Sequence, residues 1–90
     1  SVVSFLRRGP NGEPMLVILN GTPVFRENYR VGVPFGGYWR EVLNSDAPCY
    51  GGSGQGNGGG CQAQDWAHHG RNHSLLLNLP PLAVLFFEPA

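Results

Sequence analysis

The sequence predicts an all-β fold, and more narrowly an antiparallel β-sandwich with Greek-key-like connections. Glycine and proline are the first observation, because 14 glycines and 8 prolines among 90 residues leave few windows long enough for a helix. The second observation is a series of short apolar runs, each bounded by turn residues. Short strands at regular spacing, with turn signals between them, are typical of a sandwich or barrel.

The first two apolar runs predict a hairpin. Val2–Arg8 and Met15–Asn20 have strand-like composition, and Asn11 and Gly12 between them supply the chemistry of a tight turn. Met15–Asn20 is apolar on both of the faces that a strand would have. That pattern indicates a central strand of a sandwich.

Two more strands are predicted in the middle of the chain. Tyr29–Val33 is the third, and Pro34 ends it because proline cannot donate a hydrogen bond to a neighbouring strand. Tyr38–Leu43 is the fourth and follows the turn sequence "FGG".

The last two strands show the clearest pattern. Ser74–Leu79 has a leucine at every odd position, which predicts one apolar face. Pro80 and Pro81 then force a turn, and Leu82–Glu88 closes the set.

Ninety residues correspond to about one domain, so we expect residues 1–90 to form a single β-sandwich. A domain of this size has a thin core and a modest stability margin. Both ends of the chain have strand-like composition, whereas natural termini are usually polar and frayed. We therefore expect a piece of a longer polypeptide.

The composition argues against several classes of partner. Six arginines balance six acidic residues, and there is no basic cluster, so we expect no nucleic-acid partner. The longest apolar runs, "MLVIL" and "LAVLFF", are far shorter than a membrane span, so we expect no membrane partner. Residues 1–6 have no basic region before them and do not resemble a signal peptide, which favours a cytoplasmic protein.

Residues 51–60 are rich in glycine, and we expect them to form a surface loop. "GQGNGG" at residues 54–59 satisfies the G-x-G-x-x-G pattern of dinucleotide sites. That pattern needs a following helix whose N-terminus binds the pyrophosphate, and no helix-like segment follows here. We therefore predict no nucleotide and no other cofactor.

Two cysteines flank the glycine-rich loop. Cys49 and Cys61 could form a disulfide, whose loop would gain about 3 kcal/mol in the chain-entropy model. The alternative is two free thiols in a cytosolic protein. Both readings stay open on the sequence alone.

Three histidines in "HHGRNH" are candidate metal ligands, together with the two cysteines. His69 and His73 have a metal-like spacing, but Gly70 interrupts any helix that would place them on one face. No C-x-x-C motif is present either, so we predict no metal site and a polar turn that enters the strand beginning at Ser74.

No catalytic residue is predicted in this chain. The six carboxylates are scattered near turns, and no nucleophile stands beside a base. Trp39, Tyr50 and Trp66 are candidates for stacking against sugar rings. The alternative is packing in the core or at a domain interface.

Four stretches are recognisable when taken together: "SVVSFLRRG", "VILNGTPVFRENYRVGVP", "YWREVLNSDAPCYGGSGQGNGG" and "HGRNHSLLLNLPPLAVLFF". In this order they resemble the C-terminal β-domain of bacterial glycogen branching enzymes, in the α-amylase superfamily. The resemblance runs from Ser1 to about Phe87. It implies that the domain's first strand lies upstream of Ser1, which leaves a sheet edge or an apolar face uncovered. It also implies that "NSDA" is an ordered corner after the fourth strand.

The resemblance further implies a parent that cuts an α-1,4-glucan, holds the released chain as a covalent glycosyl-enzyme, and transfers it to a 6-hydroxyl. The carboxylates for that reaction would lie on an upstream (β/α)8 barrel in the bacterial cytoplasm. This chain would be an accessory domain that packs on the barrel and stabilises it, and its partners would be the barrel and, through the parent, α-glucan. Two alternatives are an autonomous α-glucan-binding module and a secreted, disulfide-stapled structural domain.

Overall fold

The structure is a computed structural model that describes residues 2–46 and 57–90. Seven strands form within these residues: β1 (Val2–Arg8), β2 (Pro14–Asn20), β3 (Arg26–Val33), β4 (Tyr38–Asn44), β5 (Gly60–Gln62), β6 (His73–Leu79) and β7 (Ala83–Pro89). The described residues contain no helix, and hence none long and apolar enough to cross a membrane.

The strands form two antiparallel sheets. The larger has five strands in the order β1-β2-β7-β4-β5, and the smaller pairs β3 with β6. The prediction of an all-β antiparallel fold is confirmed, and each predicted strand is present with ends shifted by a few residues at most. β5 was not predicted, and it begins at Gly60, the last residue assigned to the glycine-rich loop.

The hairpin between β1 and β2 is closed as the sequence predicts. The Gly9 N–H donates to the carbonyl of Glu13 over 2.8 Å, and the Gly12 N–H donates to the carbonyl of Gly9 over 3.0 Å. Gly12 has a φ of 79°, a backbone conformation that glycine adopts without steric cost. β2 lies between β1 and β7, which confirms it as a central strand.

The core lies between the two sheets and is built mainly from leucine. Leu75, Leu77 and Leu79 of β6 are fully buried, as the alternation in that strand predicts. They belong to one apolar cluster with side chains of the larger sheet, namely Leu16, Ile18, Trp39, Ala83, Leu85 and Phe87. This shared core makes the two sheets a sandwich.

Asn20 joins the end of β2 to the turn between β6 and β7. Its Nδ2 group, which is buried, donates to the carbonyls of Leu79 at 3.2 Å and Pro80 at 2.9 Å. Its Oδ1 atom accepts a hydrogen bond from the Thr22 hydroxyl over 2.6 Å. The side chain therefore supplies partners to backbone groups that water does not reach.

The segment of residues 64–71 crosses the outer side of the smaller sheet. Gln64 and Ser74 exchange two backbone hydrogen bonds of 2.8 and 3.0 Å. The His68 carbonyl lies so close to Gly32 that a Cβ atom at this position would collide with it. The Gly32 N–H donates to Nδ1 of His69 over 3.3 Å, which fixes the segment on β3.

Replacing Asn20 by alanine should lower the free energy of unfolding by about 2–3 kcal/mol, because buried carbonyls would lose their donors. Urea denaturation of the 90-residue chain measures this change. Asn72→Ala is the matched control, because Asn72 is exposed and should change stability by about 0.5 kcal/mol or less. Equal effects of the two substitutions would contradict the role given to Asn20.

The His69 contact predicts a dependence of stability on pH. Partial burial first, and then the charges of His68 and Arg71, lower the pKa of His69 below its usual value. The unfolded chain therefore binds a proton more readily, so this contribution is complete above about pH 6.5 and is lost as pH falls below it. The temperature of the thermal unfolding midpoint should therefore decrease when the pH is lowered from 7.5 to 5.5.

His69→Asn should flatten that dependence, because asparagine does not titrate and tolerates the φ of 52° at this position. Thermal melts of both proteins across this pH range provide the measurement. An equally steep loss of stability in the variant would show that other groups are responsible.

Candidate functional site

The larger sheet has an apolar surface on the side that faces away from the core. We call this surface the outer apolar face. It consists of two rows of side chains that run across β1, β2 and β7. One row is Val3, Leu19 and Val84, and the other is Phe5, Val17 and Phe86.

The strand register explains why these residues share a side. Directly paired residues of antiparallel strands point to the same face of a sheet, and neighbours along a strand point to opposite faces. Leu16 and Ile18 point into the core, so Val17 and Leu19 between them point outwards. In β7, Leu85 and Phe87 point into the core, so Val84 and Phe86 point outwards.

Most of the outer apolar face is accessible in this domain, although Val17 in its middle is only 5% exposed. Val3 is 51% exposed and Phe5 is 46% exposed, although both belong to regular strands. Charged groups lie at its border, where Arg7 and Arg8 end β1 and Arg40 pairs with Glu88 at 3.1 Å. An apolar centre with a charged border is typical of a surface that binds another protein surface.

A second site lies on the opposite side of the sandwich. Trp66 is 60% exposed, and the guanidinium carbon of Arg30 lies 4.1 Å from the centroid of its ring. Arg30 projects from the outer side of β3, because its neighbour Val31 points into the core. Trp66 is thus an exposed aromatic ring on the surface of the domain, which is what a residue that stacks on a ligand requires.

The other aromatic candidates have different outcomes. Trp39 is fully buried in the core, and its indole Nε1 donates to the Phe35 carbonyl over 3.2 Å. Of the two readings offered for Trp39, stacking on a sugar is therefore wrong and packing in the core is right, because no face of its ring is open. The sequence did contain a signal for this burial. The neighbours of Trp39, Tyr38 and Arg40, both carry polar groups, and side chains alternate along a strand, so Trp39 between them should point inwards. Tyr50 lies outside the described residues.

The thiol of Cys61 lies in β5 against the smaller sheet. Its Sγ atom is 3.5 Å from the carbonyl of Leu76, and the cysteine is free. Burial raises the pKa of this thiol, and the hydrogen bond to Leu76 opposes that shift. Cys61 is thus a thiol in this structure, as in the alternative of two free thiols, and Cys49 lies outside the described residues.

The histidines have structural contacts. His69 accepts the Gly32 hydrogen bond, and Nδ1 of His73 lies 3.9 Å from a carboxylate oxygen of Asp65. Within residues 2–46 and 57–90, no group of three or more His, Cys, Asp or Glu side chains is arranged to hold a metal ion.

Several carboxylates also have structural partners. Glu41 of β4 accepts a hydrogen bond from Nδ2 of Asn57 over 3.3 Å. The same Nδ2 group donates to the Asn78 carbonyl of β6, and the Asn78 N–H returns a bond of 2.7 Å to Asn57 Oδ1. Asn57 therefore ties the two sheets together at the end of the glycine-rich segment. Reasoning from the sequence missed this role, because a single asparagine among glycines gives no signal of its partners.

The corner after β4 is ordered within the described residues. The Asp46 N–H donates to Asn44 Oδ1 over 2.9 Å, and the Ser45 hydroxyl accepts from the Val84 N–H over 2.9 Å. The beginning of the predicted "NSDA" corner, as far as Asp46, is confirmed.

Comparison with known proteins identifies the family. The family described as "Alpha amylase, C-terminal all-beta domain" matches residues 1–90. A protein of Cereibacter sphaeroides named "1,4-alpha-glucan branching enzyme GlgB" is 59% identical over 90 residues, which is all of this chain and 12% of the relative. Proteins of the same name from Aromatoleum aromaticum and Pseudomonas fluorescens are 60% and 57% identical over 89 residues, 99% of this chain and 14% and 12% of the relatives.

This chain thus spans only about an eighth of the length of these relatives, and its match to the family covers every residue. The all-β fold found in the structure agrees with the family description. The chain belongs to the family of α-amylase C-terminal all-β domains.

Proposed function

We propose that this chain is the accessory C-terminal domain of a bacterial 1,4-α-glucan branching enzyme, and that its outer apolar face packs on the catalytic domain. The relatives' names supply the activity, and the outer apolar face supplies the mode of action. The apolar character of that face is the single observation that carries the proposal.

The chemistry of such a face supports a permanent contact. The outer side of a sandwich sheet normally alternates to polar residues, because it meets water. Here both rows across β1, β2 and β7 are apolar, and covering the 46% of Phe5 that is exposed contributes about 1 kcal/mol. Several such side chains together stabilise an interface between domains.

The proposed reaction takes place in the parent protein, in the bacterial cytoplasm. A carboxylate nucleophile of a (β/α)8 barrel would attack the anomeric carbon of an α-1,4 bond and hold the chain on that side as a glycosyl ester. The rest of the glucan would leave with its 4-oxygen protonated by a general acid. The 6-hydroxyl of a second chain would then attack, and an α-1,6 branch of glycogen would form. Carboxylates of this chain such as Glu41 and Glu88 already have structural partners, which supports a role without catalysis.

Val3→Thr tests the interface. Threonine keeps the β-branched shape but places a hydroxyl in the apolar contact, which costs about 1–3 kcal/mol when the hydroxyl finds no partner. The test uses a hybrid protein in which this chain replaces the matching segment of the Cereibacter sphaeroides relative. We expect Val3→Thr to lower the thermal midpoint of the hybrid compared with the hybrid that carries the unchanged chain. In the 90-residue chain alone, the same change should stay within about 0.5 kcal/mol.

Val24→Thr is the matched control. Val24 is 56% exposed, close to the 51% of Val3, but it lies in the connection between β2 and β3 and not in the sheet. Calorimetry of the hybrid protein should show no loss for this variant. If the two substitutions lower the midpoint equally, or if neither does, the outer apolar face is not the interface.

A further inference from the structure

The Trp66 ring is held in place from one side. The guanidinium of Arg30 lies over one face of the ring, 4.1 Å from its centroid, in a cation–π contact. With that face covered, the 60% exposure of Trp66 belongs to the other face and the ring edge. One broad aromatic face is therefore open to solvent.

Arg30 is itself fixed by the fold. Its Nη1 atom donates to Gln64 Oε1 and to the hydroxyl of Ser74, both over 2.7 Å. Ser74 is fully buried, and its backbone is bonded to that of Gln64. The guanidinium and the ring are thus arranged before any ligand arrives, which lowers the entropy cost of binding.

A carboxylate precedes the open ring in the chain. The Asp65 side chain is 95% exposed, and although one of its oxygens lies 3.9 Å from Nδ1 of His73, it can still accept hydrogen bonds from hydroxyl groups. An open aromatic face on a polar surface segment suits a ligand that has a flat apolar side and many hydroxyls. A glucose ring has both, because its C–H bonds form one face and its hydroxyls lie around the edge.

The site and the outer apolar face lie on opposite sides of the sandwich. Arg30 projects outwards from the smaller sheet, whereas Val3 and Phe5 project outwards from the larger one. A domain that packs on a neighbour through the larger sheet therefore keeps Trp66 accessible. Interface formation and ligand binding do not compete for the same surface.

We propose that Trp66, supported by Arg30, forms a surface site for α-1,4-glucan, in which a glucose ring stacks on the open face of the indole. The inference rests on the proposed function, which supplies α-glucan as the ligand class. The site holds a chain of the polymer on the accessory domain, and no bond is made or broken there.

The first test is a titration of the 90-residue chain with maltoheptaose, followed by NMR of the two indole N–H groups. The Trp66 signal should shift and saturate, while the signal of the buried Trp39 serves as an internal reference that does not move. Trp66→Ala should weaken binding by about tenfold, as loss of an anchoring tryptophan does at other binding surfaces. Trp66→Phe should retain part of the affinity, because it keeps an aromatic face.

Phe35→Ala is the matched control, because Phe35 is also an exposed aromatic residue but has no arginine contact of this kind among the residues that the structure describes. Its affinity for maltoheptaose should equal that of the unchanged chain. A Trp66 signal that does not respond, or equal affinities of the Trp66→Ala variant and the unchanged chain, would overturn the proposal.

A second measurement does not require the chain to fold alone. In the hybrid with the Cereibacter sphaeroides relative, Trp66→Ala should reduce retardation in a gel that contains glycogen, without lowering the thermal midpoint. A lowered midpoint with unchanged retardation would show that Trp66 contacts a neighbouring domain and would overturn the glucan site. That result would leave the proposed function intact, because the latter depends on Val3 and the outer apolar face.

Discussion

Strands β2 and β7 carry apolar side chains on both sides, but the core of this domain covers only one side. Leu16, Ile18, Leu85 and Phe87 face the smaller sheet and are buried there. The residues between them must point the other way, because side chains alternate along a strand. No rotation of either strand can bury both sets. The outer apolar face is therefore a necessary product of this sequence in this fold, and in the proposed function a second surface covers it.

The smaller sheet depends on the same core. A two-stranded sheet is marginally stable by itself, and the leucines of β6 attach it to the larger sheet. Asn20 and Asn57 add polar ties at two places where the sheets meet. The outer side of β3 is then free to carry other groups, and residues 64–71 with Trp66 lie there. Each side of the sandwich thus has a different chemistry.

Much of this fold could be predicted from the sequence, because the strand signals are local. The alternation in β6 and the Asn11-Gly12 turn depend only on neighbouring residues. β5 could not be predicted, because pairing with β4 defines it, and Gly60 fits there since a Cβ atom would collide with the Tyr38 hydroxyl. The support of Trp66 by Arg30 joins residues far apart in the chain, so no local pattern announces it. The outer apolar face could have been predicted, because in Met15–Asn20 the residues that would point to each side of a strand are apolar.

Hydroxyl-radical footprinting of the hybrid protein tests the coverage of the outer apolar face most directly. The oxidation rate of each side chain is compared with its rate in the same protein unfolded by denaturant. Phe5, which is 46% exposed in this domain, should be strongly protected in the assembled protein, and Trp66 should react at close to its unfolded rate. A Phe5 side chain that reacts as readily as in the unfolded protein would contradict the account.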